Sequence, residues 1–148
     1  MTSINHTAVA GIVAVSASGQ PLLTKLIIIL ALFVSHFFLD AVPHSHFYCF
    51  KRLPHKELGA AFELGVGFIV LPWLIWHFSG VNFVWLYSCV LSANLFDFLV
   101  DFKIKRFIKL NDRAHYWSKF IGGRATIRWE AAQSVVLLAV LAGVTLHQ

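Results

Sequence analysis

The run LIIILALFV, from Leu26 to Val34, is the feature that most constrains this chain. It lies in a segment, Leu22 to Val42, that is long enough to cross a hydrocarbon core. Only 13% of the 148 residues are charged and 58% are hydrophobic, whereas a soluble domain carries about a quarter charged residues. Too little polar side chain remains to coat a water-facing surface. The expected fold class is therefore all-α: a polytopic membrane helical bundle, with residues 1–148 forming one integral membrane domain.

Five transmembrane spans are expected, at about 6–18, 22–42, 58–78, 81–102 and 129–146. The first, HTAVAGIVAVSAS, covers only ~20 Å at 1.5 Å per residue against a ~30 Å hydrocarbon core, so it either spans with thinning or re-enters. Pro43 ends the second span. Pro72 is expected to kink the third rather than end it. Ser79-Gly80 leaves a short connection, so the fourth span should fold back on the third. No basic residue precedes the first apolar stretch, so a cleaved leader is not expected.

The basic residues set an orientation. All but Lys25 of the 12 Lys and Arg residues lie in two connections, 43–57 and 103–128. The positive-inside rule places both in the cytoplasm of a bacterial inner membrane, with membrane lipids as partners. The stretch KIKRF and the later NDRAHYWSKF mix bases with aromatics, as nucleic-acid surfaces do. Between spans they read better as lipid-facing loops, and a nucleic-acid partner is not expected. Cys49 and Cys89 form no C-x-x-C or metal-knuckle pair and are expected to be separate reduced thiols. The five tryptophans are read as interface anchors.

On this topology the ionisable residues gather in one layer. His36 and Asp40 stand one helical turn apart, and His44 and His46 follow Pro43. Glu63 opens the third span, Asp97 and Asp101 close the fourth, Glu130 opens the fifth, and His6 begins the first. His115 lies in the loop before the fifth span. Acids inside spans cost about 2.5–3.5 kcal/mol each on insertion scales and usually mark a site. Asp101 has a plainer account as an i, i+4 pair with Lys105, and Glu130 as a first-turn acid. Loop histidines are commonly surface groups. His36, Asp40, Glu63 and Asp97 remain the core of the expected site. Imidazole and carboxylate are ordinary ligands of zinc, manganese or iron. On this reading His6, His36, Asp40, His44 and Asp97 are the metal ligands, with Glu63, Asp97 and His115 in catalysis.

The segment SHFFLDAVPHSH, Ser35 to His46, resembles small bacterial inner-membrane proteins grouped with the LexA-regulated membrane-bound metal-dependent hydrolase family. Its ordered pattern matches Asn5-His6, His36, Asp40, Pro43-His44, Glu63, Asp97 and His115. Residue 96 is Phe where that pattern has Pro, and its His-Arg-Gly-x-Thr-His-Ser motif is absent. The resemblance implies a divalent metal and hydrolysis, with a lipid or phosphoester at the cytoplasmic leaflet as the natural substrate. Two other functions fit the same residues: a proton or metal-ion transporter or sensor, and a non-catalytic helical subunit or adaptor whose polar layer ties helices together. No nucleophile motif or Gly-rich phosphate loop is present.

Overall fold

A computed structural model describes residues 3–41, 61–62, 64–101, 105–106, 108–109 and 127–147. Within them lie α1 (Ser3–Ser16), α2 (Leu22–Ala41), a π-helical segment (Val66–Val70), α3 (Leu71–Ser79), α4 (Phe83–Asp101) and α5 (Ile127–Leu146). The apolar periodicity that makes these segments helical also decides their neighbours. α1 is the central element, packing on α4, α5, α3 and the π segment, while α2 packs on α4.

Small residues let α1 occupy that position. Ala8, Ala10 and Ala14 are fully buried, so neighbouring helices approach its backbone closely. Gly11 marks the tightest point. A Cβ built there would lie 2.5 Å from Ile75 Cδ1 and 3.2 Å from Leu141 Cδ1. Both are side-chain tips, one from α3 and one from α5, so the hydrogen of Gly11 makes room for two helices at once.

The expectation of a polytopic membrane bundle with five transmembrane helices is corrected here. Among the described residues no helix is long and apolar enough to cross a membrane. The physical reasons differ by segment. α1 has 14 residues, about 21 Å of helix. The third apolar segment is divided between the π turn and a nine-residue α3. The longer helices α2, α4 and α5 carry polar residues among their apolar ones, such as Lys25 and His36 in α2, Asn94 in α4 and Gln133 in α5.

Pro72 sits in the first turn of α3, directly after the π segment. It has no N–H to offer the carbonyl four residues back, that of Phe68. The Tyr87 hydroxyl of α4 donates to this same oxygen at 3.0 Å. Expected from this is a modest loss in Tyr87→Phe, about 0.5–1.5 kcal/mol, read as a lowered midpoint in thermal or denaturant unfolding. An unchanged midpoint would show that the Phe68 carbonyl needs no help from α4.

The turn between α3 and α4 follows ordinary capping chemistry. Gly80 has φ +64° and its N–H bonds to the Trp76 carbonyl at 3.0 Å, ending α3 in a left-handed cap. Asn82 then starts α4, its Oδ1 accepting from the Trp85 N–H at 3.0 Å. α4 is also tied to α1 by Trp85 Nε1, which donates to the Ala14 carbonyl at 2.9 Å. Lys25 Nζ lies over the Trp85 ring, 5.4 Å from its centre, within the range of a cation–π contact.

Cys89 is fully buried one turn beyond Trp85. Burial pushes its thiol up to about 12 from a model-compound value of 9.0, with Lys25 pulling weakly the other way. The folded chain thus holds this proton more tightly than the unfolded one. The linked stability is complete below pH 9 and is lost as pH rises towards 12. In native protein at pH 8, Cys89 should resist maleimide labelling that proceeds readily after denaturation. Mass spectrometry before and after unfolding checks this, and rapid native labelling would contradict it.

Candidate functional site

The consecutive residues Asn5, His6 and Thr7 lie in the first turns of α1, and all three are fully buried. His36 lies near the far end of α2 and is also fully buried. The two imidazoles meet face to face, with ring centres 4.3 Å apart and planes inclined by 14°. Phe96 of α4 packs on His36 from another side, its ring centre 4.9 Å away. His36 Nδ1 is 3.0 Å from the carbonyl oxygen of Ala93. A carbonyl only accepts, so Nδ1 carries the proton, and Nε2 is left as the basic nitrogen of neutral His36.

Amides and hydroxyls tie together the helices that carry the pair. Ser134 of α5 donates to Asn5 Oδ1 at 2.7 Å, joining α5 to α1. Ser92 of α4 donates to the Ile29 carbonyl of α2 at 2.6 Å. Asn94, 1% exposed, donates through Nδ2 to the Val90 carbonyl at 2.8 Å and to Thr7 Oγ1 at 3.4 Å. The start of α1, the end of α2, the end of α4 and the start of α5 therefore meet in one polar layer. His77 stands apart from it near the end of α3, stacked on Trp73 with ring centres 5.3 Å apart.

Of the residues expected to form the site, the structure brings His6 and His36 together. Asp40 lies in α2 one turn beyond His36, and Asp97 lies in α4 four residues beyond Ala93; their side chains fall outside the described residues. Glu63, His44 and His115 also fall outside them. Missed from sequence were Ala93, whose carbonyl holds His36, and the buried side chains of Asn94, Phe96 and Thr7. A polar residue such as Asn94, three positions before Asp97 in an apolar helix, was the available signal.

The expectation of a metal-binding site is corrected only as far as the described residues reach, since the side chains of the expected ligands Asp40, His44 and Asp97 lie outside them. Among the described residues no group of three or more His, Cys, Asp or Glu side chains is placed to hold a metal ion. The described pair also has the wrong shape for one ion. An imidazole binds a metal in its own ring plane at about 2.0–2.1 Å. Two nearly parallel rings 4.3 Å apart would both hold an ion between them far out of plane, so one ring would have to turn. The stacked pair as it stands does not fit a shared cation.

An apolar cleft of about 250 Å³ lies between α3 and α5, lined by residues including Leu71, Ile75, Phe78, Leu138 and Leu141. It opens beside the second half of α5, whereas the histidine layer meets the beginning of that helix, so the two are separate features. Compared with known proteins, the chain matches no family, no curated protein and no solved structure.

Proposed function

We propose that the His6/His36 pair is the acid–base centre of a hydrolase whose substrate is a lipid or phosphoester. One observation carries this reading: a tautomer-fixed imidazole stacked on a second one, both fully buried. Burying two imidazoles costs free energy that a purely apolar contact would not. In the reaction, His36 Nε2 takes a proton from water as the water oxygen attacks the acyl carbon or phosphorus. The bond to the leaving oxygen breaks, and the proton returns to that oxygen. A second positive charge on His6, at 4.3 Å, is opposed by Coulomb repulsion, so the pair works with one proton at a time.

The substrate class draws support from the outside of α2. Leu22, Leu26, Leu30, Val34 and Phe38 follow one another at four-residue steps and are all exposed. An apolar strip of this length is suited to meeting apolar material, and a lipid ester or lipid phosphoester supplies it. No step is assigned to a metal, because the described rings do not converge on one ion.

A second reading has its own observation. The bonds Ser92 to Ile29, Ser134 to Asn5 and Asn94 to Thr7 each join two different helices. A layer that only stitches the bundle would have these same bonds. The two readings part on activity. Purified protein in mild detergent is to be assayed on bis(p-nitrophenyl) phosphate and on p-nitrophenyl acyl esters. Hydrolysis above the protein-free rate supports the enzyme. Its absence on both substrate types, in folded protein, would leave the stitching role.

A further inference from the structure

The Asn94 side chain has a definite orientation, and that orientation leaves a group unaccounted for. An amide is settled by its neighbours, and the Val90 carbonyl at 2.8 Å accepts only from nitrogen. Nδ2 also faces Thr7 Oγ1 at 3.4 Å, so both its hydrogens have partners. The opposite atom, Oδ1, is buried and has no hydrogen-bond partner among the described residues. Buried amide oxygens are ordinarily paired, with protein or with water.

Asn94 touches Thr7, the residue after His6, and follows Ala93, whose carbonyl orients His36. Asn94 therefore belongs to the same layer as the imidazole pair, where α1, α2 and α4 meet. An acceptor without a donor selects a ligand that brings O–H or N–H. Anions and apolar groups are excluded by that chemistry.

We propose that Asn94 Oδ1 binds a water molecule in the histidine layer and positions it as the water that His36 deprotonates. The second half rests on the hydrolase reading; the first half does not. One O–H of the water is donated to Asn94 Oδ1. The other proton passes to His36 Nε2 as the water oxygen bonds to the acyl carbon or phosphorus, and the leaving oxygen departs with its bonding pair. Asn94 is in this sense a positioning residue.

Two arms of one experiment separate these halves. In ¹⁵N-labelled wild-type protein, the Asn94 side-chain amide should show a cross-peak to a long-lived water. The Asn94→Leu variant, confirmed as folded by its amide spectrum, should lose that water at the neighbouring Thr7 signals. Absence of the cross-peak in wild type overturns the water site. In the second arm, hydrolysis of bis(p-nitrophenyl) phosphate should fall about a hundredfold in kcat for Asn94→Leu, with little change in KM. Asn94→Asp, which keeps an acceptor oxygen, should retain most of the rate. Equal losses in the two folded variants overturn the positioning role. A cross-peak with no hydrolysis by any form, wild type included, overturns the hydrolase reading and leaves the water site standing.

Discussion

Replacing His36 by glutamine is expected to lower hydrolysis by about 10²–10⁴-fold. Glutamine keeps a donor for the Ala93 carbonyl, now 3.0 Å from His36 Nδ1, and roughly the same length. It cannot take up a proton at neutral pH. A kcat measurement against bis(p-nitrophenyl) phosphate tests this, alongside a circular-dichroism melt to show that the variant folds. The His6→Gln variant is the informative companion. His6 contributes a stacked ring 4.3 Å away, but no proton transfer is assigned to it, so a smaller loss and an altered pH–rate profile are expected. If His36→Gln keeps the wild-type rate, the acid–base assignment fails, however stable the protein is.

The Trp85→Ala variant should show the largest loss of stability, about 3–5 kcal/mol, as expected for a buried aromatic replaced by a methyl group. Trp85 is 7% exposed and does three things at once. Its ring fills the α1–α4 contact, its Nε1 donates to the Ala14 carbonyl at 2.9 Å, and Lys25 lies over its face. For a chain of this size 1 kcal/mol moves the midpoint by about 2–4 °C, so a drop of about 10 °C is expected in a thermal melt. Trp85→Phe separates the contributions, since it keeps most of the ring but removes the donor. Its loss should be about 1–2 kcal/mol. A Phe variant as unstable as the Ala variant would mean that the hydrogen bond, and not packing, dominates.

The helices and their polar layer were partly legible in the sequence, and the reasons are specific. Runs such as LIIILALFV read as helix because nothing in them competes for the backbone, and α2 is found at Leu22–Ala41. His36 stood out because an imidazole is costly in such a helix. Its partner was harder to see. His6 lies thirty residues earlier, and only the packing of both α1 and α2 on α4 brings the rings together. The Ala93 carbonyl was invisible in principle, since any residue supplies one.

Two expectations failed for physical reasons that composition does not carry. Hydropathy averages over a segment and does not register the π turn that divides the third apolar run. Ligand chemistry depends on the direction of lone pairs as well as on residue type. His6 and His36 are both metal-competent side chains, yet in parallel planes they do not address one ion. The Phe at position 96, which departs from the resembled pattern, is the residue that packs on His36.

The π segment carries a consequence for how this chain tolerates change in length. In Val66–Val70 the Leu71 N–H reaches back five residues, to the Val66 carbonyl, so the turn holds one residue more than an α-helical turn. Each residue advances an α-helix by about 100°. Removing one residue there would relax the turn to α geometry, and the part of the helix before it would keep its facing relative to α3, because one full turn still separates the two. Val66–Val70 is thus a phase adjuster: it absorbs a residue that in a continuous α-helix would rotate the preceding face by about 100°.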